Sequence, residues 1–556
     1  MTRKSSRRID IAIIDSLVFD GSGKEPFLSN IGISGEKIVA INKDPTMARR
    51  AKRIIDAHGL SVAPGFIDTH GHSEFTLVAD PRAEGKLLQG ITTEINGNCG
   101  LSAAPLAGET LKQREEDLRE LGIPHRWSNF KEYFKILNEG MAINFATLVG
   151  HGNVRACAMG YENRKAHTIE LDRMKRLLRK ALTDGALGLS TGLAYPPGIY
   201  SDTEELIDLC TVLARSKHVR SVLSPQDTMF TPVKNKIQDK KICPGPIFTA
   251  HIRNEGDALT ESVEEIIRIG KETGIRVHIS HIKTSGRQNW SKIDKLLPKI
   301  EKAQGEGVCI TCDRYPYIAS STDLDILLPS WVYAGGAREE LKRLLHAETR
   351  ERIRKEILVY YPEREFWQQV RIATVSSEKN KWIEGESIAS VAHRKNAHPV
   401  NLFLNLLIEE KLRVSAIFSM MSEDNLMRFL SRPYVMIGSD SAARSIDGLT
   451  SRGKPHPRGF GSFPRFLGRY ARDQGLMDFS AAIHKVTMLP AQTFMIARRG
   501  IIKRGAYADI VVFDRKTIID RATFDEPFLK PEGIHYVLVN GSPALWEGKI
   551  TGNFAG

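Results

Sequence analysis

No stretch of the 556 residues approaches the ~18 uninterrupted apolar residues of a membrane-spanning helix, which excludes such a span. A secretory signal is also missing. The start, MTRKSSRRIDIAIID, is basic, but IAII is too short for a signal core and no small-residue cleavage site follows, so a cytoplasmic protein is expected. Cysteine is scarce and scattered: Cys99, Cys157, Cys210, Cys243, Cys309 and Cys312 are the whole set. Such scatter in a long chain without a signal predicts reduced thiols rather than a disulfide frame. Only Cys309 and Cys312 have CxxC spacing, and without a second CxxC or a histidine pair nearby they predict neither a redox pair nor a zinc site. Internal repeats, low-complexity tracts and nucleic-acid-binding motifs are absent as well.

What is present is the composition of an ordinary globular protein, 41% hydrophobic and 26% charged. The net charge of +13 comes from 79 Lys and Arg against 66 Asp and Glu, spread over short runs at 3–8, 49–53, 173–180 and 234–241. The third run alternates with Leu at helical spacing, as a solvated helix face does. No nucleic-acid or membrane partner is expected.

The first 60 residues or so read as short strands separated by turn signals, and so do the last 60. Neither end has enough strands for a stable sheet alone, so residues 1–61 and 491–556 are expected to build one small β domain together. Between them, strand-like runs at 62–68, 91–97, 143–149, 186–191, 247–252, 277–282, 308–315 and 434–440 alternate with helical patterns. Parallel βαβ units repeated eight times predict an α/β fold, a (β/α)8 TIM barrel over 62–490 with catalytic groups at the C-terminal strand ends. Two further runs, 370–375 and 414–418, bring the count to ten, and an inserted lobe at about 325–430 accounts for them. One amphipathic helix is expected there, with Leu341, Leu344, Leu345, Ile353 and Ile357 on one face.

The polar residues fall where a barrel enzyme needs them. His70 and His72 close the first strand in GFIDTHGH, spaced by two so that both face one side. Cys99 follows the second strand in NGNCG. His251 ends TAHI, His281 lies in VHISHIKTSG, and Asp440 ends YVMIGSD. A thiolate and two imidazoles make a three-ligand zinc site with one position open. Zinc lowers the pKa of its water to about 7, and a nearby carboxylate such as Asp440 can carry the proton to a leaving group. The chemistry indicated is hydrolysis of an unreactive carbonyl, such as an amide.

The chain resembles the N-acyl-D-amino-acid deacylase (D-aminoacylase) family of the amidohydrolase superfamily. The resemblance rests on PGFIDTHGH, TTEINGNCG, LVGHGNVR, GALGLSTGLAYPPG, TAHIRNEGD, VHISHIKTSG, DRYPYIASST, IGSDS, HPRGFGSFPRFLGRY, RRGIIKRGAYADIVVFD and GIHYVLVNG, in the family's order from about 60 to 545. It implies a barrel of amidohydrolase type with a small composite β-sandwich from both termini and an inserted lobe. It implies zinc held tightly by Cys99, His251 and His281, with His70 and His72 at a second, weaker metal position, and Asp440 as catalytic acid and base. It places Tyr195, Lys283, Tyr315, Ser321 and Arg458 on the substrate, an N-acyl-D-amino acid. Lys283 and Arg458 suit its free carboxylate, and the tyrosines add hydroxyl donors and shape. His151 in GHGN stays outside this set.

Two departures stand out. The stretch between Asp440 and HPR is long for the family, which loosens the placing of Arg458, and position 74 is Glu where relatives commonly carry Asp. The rival readings are a cyclic amidase of hydantoinase or dihydropyrimidinase type and an inactive barrel reused for binding. Cys99 argues against the first, whose members generally use a bridging carbamylated lysine. The complete metal set argues against the second.

Overall fold

The computed structural model describes residues 9–216 and 245–556. The basic runs at 3–8 and 234–241 and Cys243 lie outside the described residues.

Both chain ends enter one nine-stranded sheet. From the N-terminal side come Ile9–Val18, Phe27–Ser34, Lys37–Asn42, Ala51–Asp56 and Ser61–Pro64, and from the C-terminal side Ile510–Phe513, Ile534–Val539, Ser542–Trp546 and Lys549–Ile550. The two halves join where Ser61–Pro64 runs antiparallel to Ile510–Phe513, with Val62 opposite Val512. Alternating apolar residues (Ile11, Ile13, Ile31, Ile33, Val62, Ile510, Val512) share one buried cluster, as the period of two in a half-buried sheet requires.

The run 62–68, read as one strand from the sequence, is two. Gly65 separates Ser61–Pro64 from the first barrel strand, Phe66–Asp68. A Cβ at this glycine would stand 2.2 Å from Thr92 Oγ1, so only glycine lets the chain cross from sheet to barrel here.

The α/β barrel expected from the sequence is present. Its strands continue with Ile91–Asn96, the short pair Asn144–Thr147 and Val149–Gly150, then Gly188–Gly192, Ile247–His251, Arg276–Ile279, Ile310–Arg314 and Val435–Ile437. Among the described residues, the pairings between them are all parallel. Asn144–Thr147 pairs back to Ile91–Asn96 and Val149–Gly150 forward to Gly188–Gly192, so Leu148 marks a break within one barrel position. Inside, Ile67, Ile95, Leu148, Ile247 and Met436 pack with Phe494 and leave the opposite mouth to polar groups.

The two surplus strands belong to a lobe. Val370–Val375 and Val414–Phe418 pair antiparallel, and Ser320–Asp323 adds to Val414–Phe418 on its other side. The lobe has its own core of Leu344, Ile353, Ile357, Trp367, Phe403 and Leu407. The single amphipathic helix expected there is two helices, Ala337–Leu345 and Ala347–Tyr360. His346 between them is extended, with φ −77° and ψ 118°, and caps the second helix. The break rotates Leu345 out of the apolar face, leaving it 66% exposed.

The basic run 173–180 lies on the helix Thr168–Asp184, whose Met174 and Leu178 are buried while Arg173, Arg176, Arg179 and Lys180 face solvent. The expectation of reduced cysteines holds for Cys99, Cys157, Cys210 and Cys312 but not for Cys309, which is disulfide-bonded. The CxxC spacing therefore joins two thiols with different fates. Among the described residues no helix is long and apolar enough to cross a membrane.

First and last barrel strands are clasped by a buried ion cluster. Lys86, fully buried, reaches Asp68 Oδ2 at 2.8 Å, Glu94 Oε1 at 2.7 Å and Ser439 Oγ at 2.8 Å. Ser439 returns its amide and hydroxyl to Asp68 at 2.8 and 2.5 Å. Burial alone would lower the Lys86 pKa, but the Asp68 and Glu94 carboxylates outweigh it and keep the ammonium charged. Lys86→Met leaves two carboxylates buried and unpaired, and a loss of about 3–5 kcal/mol in urea unfolding is expected. An unchanged midpoint would show that the cluster does not hold the barrel shut.

Candidate active site

The expected metal residues and the expected catalytic Asp440 sit at or just beyond the C-terminal ends of their strands, His72 four residues past Asp68. His251 is the last residue of its strand; His70 and His281 lie two residues beyond theirs, Cys99 and Asp440 three. At three of these positions the backbone is left-handed: Cys99 at φ 53°, His281 at φ 35° and Asp440 at φ 51°. Such conformations cost about 1–3 kcal/mol each in a residue with a side chain and persist where surrounding contacts impose them. Those contacts are visible. Gly97, at φ 75°, lets the Cys99 loop pass Leu148, whose carbonyl oxygen would lie 2.1 Å from a Cβ. The Gly97 amide donates to Glu74 Oε1 at 2.6 Å, so the glutamate at position 74 anchors the cysteine loop. The Asp440 amide donates to His70 O at 2.7 Å, and the His281 amide to Asp313 Oδ1 at 2.8 Å.

These turns bring the donors together. The donor atoms of Cys99, His251 and His281 lie within 4.8 Å of one another, as do those of His70, His72, Cys99 and Asp440. Cys99 belongs to both groups, with Sγ 3.2 Å from His70 Nε2 and 3.4 Å from His281 Nε2. His251 Nδ1 is buried with no hydrogen-bond partner among the described residues. A thiolate, imidazoles and a buried nitrogen with a free valence suit zinc, a borderline-soft cation that takes three protein ligands at catalytic sites. The donor set fits the ion.

Charge is arranged in shells. Burial would raise the Cys99 thiol, but the His70 and His281 rings hold it well below the usual thiol range. Asp313 Oδ2 lies 3.1 Å from His70 Nδ1 and 2.8 Å from His278 Nε2. Glu255 Oε1 lies 2.9 Å from His281 Nδ1 and pairs with Lys283 Nζ. Asp440 Oδ1 lies 3.1 Å from His72 Nε2, and Oδ2 2.7 Å from Arg458 Nη1. Burial would push the Asp440 and Glu255 carboxyls up; Arg458 with His70, and Lys283 with His251, hold them well below the usual carboxylate range.

The expected substrate residues surround this centre. The long stretch after Asp440 is pinned by Arg82 to Asp447 at 2.6 Å and by Thr450 to Asp80 at 3.0 Å, and it returns Arg458 to Asp440. Arg458 also donates to the Ser321 carbonyl at 3.2 Å, so that residue meets the arginine through its backbone. The buried Tyr315 ring lies 4.7 Å from the Arg458 guanidinium and 5.9 Å from Lys283 Nζ, and its hydroxyl has no partner among the described residues. Tyr195 stands edge-on to His251 at 4.8 Å and its hydroxyl meets Thr322 Oγ1 at 3.1 Å. His151 is buried between Glu205 (2.8 Å) and Thr191 (3.2 Å), a structural bonding pattern.

Sequence reasoning missed Glu255, Asp313 and His278. The first two lie inside motifs already singled out, TAHIRNEGD and DRYPY, and Asp313 occupies a strand-end position where barrel chemistry is sited. His278 also lies in a quoted motif, VHISHIKTSG, within the strand Arg276–Ile279 and three residues before His281, and its role follows only from its contact with Asp313.

A model of the amidohydrolase family matches residues 53–218 and 382–544. An N-acyl-D-glutamate deacylase of Alcaligenes xylosoxydans xylosoxydans is 36% identical over 96% of this chain and 93% of its own. A crystal structure of N-acyl-D-glutamate deacylase from Bordetella bronchiseptica, complexed with zinc and a phosphonate mimic of the tetrahedral intermediate, superposes with a TM-score of 0.78 at 33% identity, covering 99% of this chain and 100% of that one. A D-aminoacylase structure described for its binuclear metal centre gives 0.78 at 31% identity, covering 99% of each chain.

The depressed thiol has a direct consequence. In zinc-free protein, the thiolate absorbance that distinguishes the chain from its Cys99→Ser variant is expected to persist as pH falls through neutrality. A thiol of ordinary acidity loses that absorbance below about pH 8.5. Loss near that pH would mean that the imidazoles do not stabilise the thiolate.

Proposed function

This chain belongs to the amidohydrolase family, and from that premise we propose that it hydrolyses the amide bond of N-acyl-D-amino acids, releasing a carboxylic acid and a D-amino acid. The observation that carries the reading is the convergence of Cys99, His251 and His281 beside Asp440 at the barrel mouth. Similarity to N-acyl-D-amino-acid deacylases over nearly the whole chain supports it.

Cys99, His251 and His281 would hold the tightly bound zinc, and His70 and His72 a weaker second position sharing the Cys99 sulfur. Zinc there supplies Lewis-acid polarisation of the amide carbonyl and makes water a competent nucleophile near neutral pH. Asp440, kept ionised by Arg458 and His72, takes the proton of the attacking water and returns it to the departing nitrogen. Arg458 and Lys283 bind the α-carboxylate by charge-assisted hydrogen bonds. That carboxylate and the leaving nitrogen are attached to the same carbon, so an arginine already touching Asp440 sets the leaving nitrogen beside the proton donor. Tyr315 offers its unpartnered hydroxyl and Tyr195 closes the side next to His251. The partner is a small molecule.

Asp440→Asn removes the proton carrier and keeps the shape. Zinc content measured by atomic absorption should remain that of the parent, while kcat falls by about 10²–10⁴-fold. Activity retained by the variant would refute the role. A screen of N-acetyl-D- and N-acetyl-L-amino acids with zinc-loaded protein, following released amine, should show turnover confined to the D series. Turnover of the L series alone, or of neither, would overturn the substrate class.

A further inference from the structure

Glu255 is neither a metal donor nor a substrate contact in the reading above, yet one of its oxygens touches three groups of the site. Oε1 lies 2.9 Å from His281 Nδ1 and 3.9 Å from His251 Nε2, and it pairs directly with Lys283 Nζ. Lys283 Nζ in turn lies 2.7 Å from the same His281 Nδ1. The other ring nitrogen of His281, Nε2, faces Cys99 Sγ at 3.4 Å. One imidazole nitrogen is thus contested by an anion and a cation while the other faces the metal donors.

A ligating imidazole is neutral, with one nitrogen carrying hydrogen and the other a lone pair. For Nε2 to offer its lone pair on the Cys99 side, Nδ1 must carry the hydrogen. A carboxylate only accepts, so Glu255 favours hydrogen on Nδ1. An ammonium only donates, so Lys283 favours a lone pair on Nδ1 and hydrogen on Nε2, where it blocks ligation. Lys283 is buried and cannot turn to bulk water, so the outcome depends on which neighbour prevails. Glu255 acts twice: it accepts from Nδ1 and it engages the ammonium that would otherwise donate there.

We propose that Glu255 is a positioning residue that selects the metal-binding tautomer of His281 against the neighbouring Lys283, and so lets a cation needed for the substrate carboxylate sit beside a zinc ligand. The inference rests on the reading of Cys99, His251 and His281 as zinc donors. His70 offers the contrast: its Nδ1 meets Asp313 Oδ2 at 3.1 Å, and among the described residues no Lys or Arg contact to that nitrogen competes with the carboxylate.

The test is zinc affinity by chelator competition, measured on the parent chain, E255Q, K283M and the double variant E255Q/K283M. Loss of an outer partner to a metal-binding histidine costs about 10–100-fold in affinity, and E255Q should show a loss of that size. K283M should bind zinc as the parent does. The double variant should bind more tightly than E255Q, because the competing donor is gone. Because E255Q leaves a buried ammonium unpaired and K283M removes it, thermal unfolding of the four zinc-free chains is followed as well: affinity recovered in the double variant without a matching rise in Tm over E255Q is expected, and the two rising together would overturn the proposal. Parent-like affinity in E255Q, or no recovery in the double variant, would overturn the proposal while leaving the donor assignment intact. A parent chain that binds no zinc would overturn the donor assignment itself, and the tautomer proposal with it.

Discussion

The negative charge on the Cys99 sulfur is the constraint around which the barrel mouth is organised. A buried thiolate is stable only beside positive groups or a metal, and the sulfur has His70 Nε2 and His281 Nε2 within 3.4 Å. Each imidazole is backed by a carboxylate, His70 by Asp313 and His281 by Glu255, with His72 backed by Asp440. Two of those carboxylates are answered by cations, Lys283 for Glu255 and Arg458 for Asp440. Beyond the imidazoles the sign of charge therefore alternates outward, carboxylate first and cation next. An anionic substrate is the next member of that series, which ties the choice of cysteine at position 99 to the charge of the molecule at the mouth.

This arrangement is held by a scaffold that tolerates unfavourable backbone. Left-handed turns at Cys99, His281 and Asp440 together cost several kcal/mol by the usual figure of about 1–3 each. The compensation lies immediately below. Lys86, Asp68, Glu94 and Ser439 join the first and last strands, and Glu74, Asn96 and Asn98 pin the His70 and Cys99 loops to each other. The donor geometry is thus fixed by the closing of the barrel, and the ligands inherit their precision from strands rather than from loops.

Much of this was legible in the sequence because a barrel places chemistry at strand ends, and strand ends can be read from an apolar run followed by polar residues. GFIDTHGH, NGNCG, TAHI and IGSD needed only their order along the chain to predict a common mouth. Glu255 and Asp313 were not read, although they lie in the quoted motifs TAHIRNEGD and DRYPY, because their work depends on which neighbours each side chain faces. The lobe was legible only as surplus: ten strand-like runs for eight barrel positions. Its helix was misread because Leu341 to Ile357 keeps an apolar period through His346, where the chain turns and Leu345 swings outward. At Gly65, one apolar run served two sheets, since periodicity carries no mark of a change in hydrogen-bonding partner. The Cys309 disulfide was missed because scattered cysteines show nothing of which pairs meet in space.

The lobe's position gives it a part in recognition that its sequence does not announce. Its strand Ser320–Asp323 pairs with Val414–Phe418 on one side and on the other presents Thr322 to Tyr195 and the Ser321 carbonyl to Arg458. Those partners follow different barrel strands, Tyr195 in a loop and Arg458 at the start of the helix Arg458–Arg465, and both are proposed to meet the substrate. A strand fixed by its own sheet and core is a stiffer wall than a loop, and Arg458 is held from two directions at once, by Asp440 in the barrel and Ser321 in the lobe. A guanidinium so restrained has little freedom left to lose on binding, which is the condition under which a bidentate contact discriminates by geometry as well as by charge. In the proposed reading, specificity at this mouth then depends on how lobe and barrel meet, because the strand Ser320–Asp323 touches two of the residues proposed to bind substrate.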